Sequence, residues 1–255
     1  MTSLIVGVIA GILVSLLGAS AKKLADMARY RRNFGYLYAL LAGAKRIQIV
    51  VPSLEAPVFV PQGTTQIAKV PKNVKVMPLA EGTAIAQLVS ALHRLRNADV
   101  QIVSQENYQD TGGLTISVGG PSLNSVSRIL LDYSFPKFSI KYPEHIASYG
   151  STTFSPSTNS EGDLTEDYGF VAVGRTVGGS RGVVICGVWA FGTQIAAASL
   201  LHLPRKSEAR RLFVRKEDFF MVSHARVNGL WPGNVEIVEI RHEQIPARTR
   251  NEQVA

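Results

Sequence analysis

Cysteine is almost missing from this chain: Cys186 stands alone inside an apolar run. That excludes a disulfide framework and a thiolate metal site, and points to a buried, inert thiol. The histidines His93, His145, His202, His224 and His242 are scattered, without HExxH spacing or a cysteine partner, so no catalytic metal is expected. Neither GxGxxG nor GxxxxGK[ST] occurs, which argues against dinucleotide-type oxidoreduction and P-loop hydrolysis, and there is no GxSxG nucleophile elbow. No cofactor is expected. Acidic residues are outnumbered, giving a formal charge of +8 and a pI near 9.7. The basic residues nonetheless carry no interleaved aromatics and no RNP, zinc-finger or basic-zipper pattern, so nucleic acid is not the expected partner.

Charge is also absent from Met1 to Ala21. Ser3 to Ala21 is about the minimum length for a helix that crosses a ~30 Å hydrocarbon core, and residues 1–21 read as a transmembrane anchor. A cleaved signal peptide is the rival reading, since Ala19-Ser20-Ala21 has the form of a cleavage site. Against it, Met1-Thr2-Ser3 holds no Lys or Arg, while Lys22, Lys23, Arg29, Arg31 and Arg32 follow the apolar stretch at once. The positive-inside rule then puts the N-terminus outside and the rest of this single-pass chain in the cytoplasm. Gly7 and Gly11 form a GxxxG pair extended by Gly18, a smooth face on which a homo-oligomer could pack. Residues 22–45 read as a basic amphipathic helix, with Leu24, Met27, Tyr30, Phe34, Leu37 and Leu41 on one face and basic groups toward anionic lipid. Its Phe34 to Ala44 portion is expected to dock on the globular domain.

That domain is expected over residues 46–247, as repeats of an apolar β-branched run, a turn and a helix. RIQIVV (46–51) is the first strand, ending at Pro52-Ser53. An irregular segment from Leu54 to Lys72, with a short strand at Val58 to Val60, leads to a strand at Val74 to Met77 and a helix from about Thr83. Strands follow at Asp99 to Val103 and Thr115 to Val118, and a helix opens at Pro121. Asp132 to Asp167 loses periodicity and reads as a long loop or lid. Tyr168 to Val173 and Gly182 to Val188 read as a strand pair, Gln194 to Leu203 as a small-residue helix, and Phe219 to Val227 and Val235 to Ile240 as the last strands. Residues 248–255 look like a frayed tail.

Three strand-to-helix junctions share one design: Glu81-Gly82-Thr83, Gly119-Gly120-Pro121 and Phe191-Gly192-Thr193. Glycine lets the chain turn sharply and lets a ligand approach the backbone, and a free helix N-terminus suits an anion. In an open parallel α/β sheet such junctions meet outside the carboxyl ends of the strands, where ligands bind. The candidate ligand-binding residues are therefore Ser53, Gly82, Thr83, Gly119, Gly120, Pro121, Asn124, Gly192 and Thr193. Ordinary capping accounts for glycine followed by Ser or Thr equally well, and an early-helix Asn124 often only tidies its turn. Glu81 and Asp167 are the leading acid-base candidates, with Glu106 and Asp110 behind them, and none has a partner at diagnostic spacing.

The α/β frame with Gly-rich turns, from Arg46 to about Leu203, resembles Rossmann-like nucleotide- or nucleotide-sugar-binding domains. With a single-span anchor, the layout is similar to small bacterial signalling or defence effectors. The expected fold is α/β, a Rossmann-like sheet with helices on both faces, preceded by one transmembrane helix. The expected function is a membrane-anchored cytoplasmic domain that binds a small anionic ligand, a nucleotide or derivative, as sensor or effector. Two alternatives stand beside it. One is an enzyme that cleaves or transfers a glycosidic or phosphate bond of a nucleotide- or nucleoside-type substrate, and the other a purely structural anchored module.

Overall fold

Short runs rich in β-branched residues, RIQIVV, LTISV and GVVICG, are buried along nearly their whole length, the polar Gln48, Thr115 and Ser117 included, as suits strands covered on both faces. They lie side by side in the centre of the structure, a computed structural model that describes residues 22, 25, 28, 36, 37, 40, 44, 46–55, 75–95, 99–189, 191–204, 206–228 and 231–242. In chain order the strands are β1 (Arg46–Val51), β2 (Leu54–Glu55), β3 (Lys75–Val76), β4 (Asp99–Ser104), β5 (Leu114–Val118), β6 (Phe138–Lys141), β7 (Ile146–Tyr149), β8 (Thr152–Phe154), β9 (Ser157–Thr158), β10 (Leu164–Arg175), β11 (Arg181–Gly187), β12 (Phe219–Asn228), β13 (Trp231–Pro232) and β14 (Glu236–His242). Among the described residues, the α-helices of defined extent are α1 (Leu79–Leu95), α2 (Ser125–Ser134), α3 (Gly192–Leu201) and α4 (Glu208–Arg215).

The protein is a mixed α/β structure built on a nine-stranded sheet. Its order, β13-β12-β10-β11-β5-β1-β4, divides into a parallel half, β11, β5, β1 and β4, and an antiparallel half in which β10 pairs with both β11 and β12, and β14 with β12. Side chains alternate between two cores. Ile47, Ile49, Leu114, Ile116, Val183 and Ile185 face α1, α3 and α4, whereas Val50, Val184, Cys186, Phe220 and Val222 face α2 and a small sheet, β6-β7-β8. Helices thus cover both faces. Tyr36, Leu37 and Leu40 are helical and buried in the first of these cores, and the Tyr36 hydroxyl donates to the Leu200 carbonyl (2.6 Å). This part of the 22–45 segment docks on the domain, as expected for Phe34 to Ala44.

Helix α3 is built of small residues because it has to approach the sheet closely. A Cβ on Gly169 of β10 or Gly187 of β11 would fall on the α3 backbone at Gly192 or Ala196. These glycines fix where the helix starts, directly over the ends of the two strands.

Several boundaries differ from the sequence reading. Helix α1 begins at Leu79, not Thr83: Gly82 lies inside the first turns, where its N–H donates to the Pro78 carbonyl (3.1 Å). The segment 132–167 is not a long loop. It completes α2, forms β6 to β9 and enters β10, because Phe138, Tyr149 and Phe154 bury against Phe170 and Phe220. Each such ring contributes about 1.5–3 kcal/mol on burial, and that tertiary gain outweighs the local turn signals. Helix α4 occupies a basic stretch in which Ala209, Leu212 and Phe213 form the buried stripe and Ser207 caps the N-terminus. Among the described residues no helix is long and apolar enough to cross a membrane. The anchor expected over residues 1–21, the strand expected at Val58 to Val60 and the tail 248–255 lie outside the described residues.

Candidate functional site

The carboxyl ends of β1, β5 and β11 meet the starts of α1, α2 and α3. Helix α2, expected to open at Pro121, does not open there. Pro121 to Leu123 form a turn in which the N–H groups of Leu123 and Asn124 both donate to the Gly120 carbonyl (3.0 and 2.9 Å), and the helix begins at Ser125 with Asn124 as its cap. Asn124 Oδ1 accepts from the N–H groups of Val126 and Ser127 (3.0 and 3.4 Å), and Gln105 Oε1 accepts from Ser125 N–H (2.7 Å). The N–H groups that would have held an anion are therefore occupied by the protein itself. Asn124 Nδ2 donates to the carbonyls of Val118 (2.9 Å) and Val50 (3.3 Å), so this fully buried amide ties the ends of β5 and β1 to the helix and is saturated.

The two glycines before that turn make room for other side chains. Gly119 has φ +98°, a backbone state costly for any residue with a Cβ. A Cβ there would meet Pro52 and, at 3.7 Å, Cγ of Glu81. On Gly120 it would stand 3.0 Å from the Tyr142 hydroxyl.

Glu81, in the first turn of α1, is only 6% exposed. Thr193, in the first turn of α3, donates its hydroxyl to Glu81 Oε1 at 3.1 Å. Burial pushes the Glu81 carboxyl above its ordinary range, and hydrogen bonds from its own backbone N–H and from Thr193 offset this only in part. Such a carboxyl holds its proton longer than an exposed one and can donate as well as accept. Tyr142 lies close by. Burial raises the pKa of its hydroxyl, Ser122 offsets this in part, and Cys186, Glu81 and Asp167 add to the rise. The Cys186 thiol is wholly buried and pushed up to about 12, by burial and then by Glu81, so it is inert.

Asp167 has a different role from Glu81. It is fully buried near the start of β10, and its carboxylate accepts backbone N–H groups from Tyr168 (2.8 Å) and Phe191 (3.0 Å), with the N–H groups of Gly192 and Trp189 lending it further electrostatic support. Desolvation raises its pKa to about 6 in spite of these bonds. It braces the segment between β11 and α3. That segment carries Trp189, whose ring stacks on His145 with centroids 4.6 Å apart and planes 8° apart. His145 in turn meets the edge of Tyr142 (5.8 Å, 89°). Tyr142 and His145 form the ends of the β6–β7 connection, which reaches from the small sheet to the strand ends through a cis Tyr142–Pro143 bond. Trp189 and Tyr142 are each 41% exposed.

No protein-family model, curated protein or solved structure matches this chain. The site therefore stands on its own geometry.

Of the residues singled out from the sequence, Glu81, Gly119, Gly120 and Thr193 come together. Gly82 and Thr83 are helical, and the Thr83 hydroxyl donates back to the Leu79 carbonyl (2.9 Å). Gly192 is walled in by Tyr168 O and Gly187, so its lack of a Cβ serves packing rather than ligand approach. Ser53 is half-buried just past β1, and Pro121 shapes the turn. Asp110 lies at the opposite end of β5, where Ser180 Oγ and Gly112 N–H donate to it, and Glu106 is exposed on a short 3-10 turn. Sequence reasoning missed Tyr142, His145 and Trp189 as a group. The aromatic content of the 132–167 segment was the available signal, but the partners are distant in sequence. Among the described residues no three His, Cys, Asp or Glu side chains come together to hold a metal ion.

Proposed function

We propose that this chain is a membrane-anchored, Rossmann-like α/β protein whose cytoplasmic domain binds a small nucleoside- or nucleotide-type ligand at the carboxyl edge of β1, β5 and β11, as a sensor or effector. One observation carries the reading: a buried carboxyl, Glu81, sits at that edge with Thr193 as its side-chain partner and packs against Gly119, while the Tyr142 hydroxyl lies against the adjoining Gly120. Burying a carboxyl is costly, and a perturbed acid at the ligand-binding edge of an α/β sheet marks a functional site. Because the N-terminus of α2 is closed by Asn124 and Gln105, the ligand's sugar hydroxyls, rather than a phosphate, are taken to face Glu81. The anchor over residues 1–21, its lipid contacts and self-association through Gly7, Gly11 and Gly18 belong to the same proposal.

A second reading is favoured by the raised pKa of Glu81: the domain cleaves or transfers a glycosidic bond, with Glu81 as the acid. Such enzymes ordinarily use two carboxyl groups, and here Asp167 is engaged by backbone N–H groups, which favours binding over turnover. The full-length protein in detergent, incubated with a panel of nucleosides and nucleotides, tests both. Thermal stabilisation with intact ligand supports the sensor, release of free base supports the enzyme, and neither effect across the panel overturns the proposal. At ~100 times its dissociation constant a ligand should add about 2.7 kcal/mol.

A further inference from the structure

Building on the proposed ligand-binding edge, we propose that the free face of Trp189 is the stacking surface for the ligand's nucleobase, so that the site selects for a planar ring as well as for sugar hydroxyls. The ring of Trp189 lies 4.6 Å from that of His145 at an angle of 8°, so one indole face is covered. The residue as a whole keeps 41% exposure. A large aromatic surface held in water this way has unused stacking capacity, which any nucleobase can take up because every base presents a π-face.

Two further features show that the ring is held in place rather than left loose. Asp167 accepts the N–H of Phe191 (3.0 Å), two residues past Trp189, which holds the segment that carries the ring. His145, which backs the ring, adopts φ +52°, a conformation uncommon for a residue with a side chain. Local strain of this kind persists only where surrounding contacts enforce it, and it clusters at ligand clamps. A rigid platform loses little entropy when a ligand lands on it.

The platform is also continuous with the carboxyl. Tyr142 makes a T-shaped contact with the His145 ring, while its hydroxyl lies 3.0 Å from where a Cβ on Gly120 would stand. A chain of contacts thus runs from Trp189 through His145 and Tyr142 to Gly120, next to the Gly119 that Glu81 packs against.

The test uses the full-length protein with adenosine, guanosine, cytidine and uridine as probes and ribose as the control without a base. Wild type should bind nucleosides and bind ribose far more weakly. Trp189→Ala should raise the Kd for nucleosides about tenfold or more without changing the response to ribose, and Trp189→Phe should recover part of the loss. Trp189 and Trp231 are the two tryptophans of the chain, so a Trp231→Phe protein reports on Trp189 alone, and its emission should be quenched as adenosine is added. Nucleoside binding that is unchanged in Trp189→Ala, with no quenching, overturns the stacking role and leaves the binding edge in place. If no nucleoside binds to wild type, or ribose binds as well as adenosine does, the ligand class itself falls and the stacking role with it.

Discussion

Thr193, in the first turn of α3, donates its hydroxyl to Oε1 of Glu81, in the first turn of α1, across 3.1 Å. Two helix starts far apart in sequence are joined by this one bond at the strand ends. Replacing Thr193 with Val keeps the shape but leaves a buried carboxyl short of a donor. The expected loss is about 1–3 kcal/mol, measured by urea unfolding, with Thr193→Ser close to wild type. Equal stability of the Val variant would show that Glu81 does not rely on this bond.

Glu81→Gln separates stability from function. The amide keeps an oxygen for Thr193 and removes the desolvation of a charge, so unfolding at neutral pH should become no easier than in wild type. Affinity for nucleosides should nevertheless fall about tenfold or more, as expected when a charge-assisted acceptor is lost. A Gln variant that binds as wild type does would remove Glu81 from the site.

Asp167 makes stability depend on pH with a definite sign. Its carboxyl lies near 3.8 when unperturbed and is raised to about 6 in the folded protein, so between these values the native state binds more protons than the unfolded chain. Its contribution to stability is fully present below about pH 4 and is lost as pH rises through about 6. The loss is on the order of 3 kcal/mol. Asp167→Asn should flatten the decline across that window in urea melts taken at successive pH values. A slope that persists in the variant assigns it to other groups.

Asn124 is expected to be structural. Asn124→Ala removes a helix cap and leaves the Val50 and Val118 carbonyls without their side-chain donor, at a cost of about 2–4 kcal/mol. Calorimetry should show a lower Tm, while nucleoside affinity in the folded fraction stays as in wild type. Normal stability with lost affinity would reverse the assignment.

The anchor can be tested by intact mass. Protein extracted from membranes should retain residues 1–21, apart from possible removal of Met1, and Gly7→Ile with Gly11→Ile should lower the yield of crosslinked dimer. A mature chain that starts at Lys22 would place the domain on the other side of the membrane. Equal dimer yields would remove the glycine face as the contact.

Local chemistry made several parts of this protein legible from the sequence alone. Apolar β-branched runs such as RIQIVV specify doubly covered strands in any context, and positive φ at Gly119 demands glycine through sterics that involve only neighbouring atoms. Glu81, Gly119, Gly120 and Thr193 could be singled out because turn and helix-start signals are short-range. What tertiary structure decided depends on partners distant along the chain. The aromatics of 132–167 form strands because Phe170 and Phe220 wait for them in a second core. Asn124 reads as a possible ligand contact until the carbonyls of Val50 and Val118 occupy its amide. Asp167 looks like a catalytic acid until the backbone of Trp189, Phe191 and Gly192 closes on it. Tyr142, His145 and Trp189 become one surface only when the β6–β7 connection meets the end of β11, since stacking is a relation between rings and no spacing in the sequence encodes it.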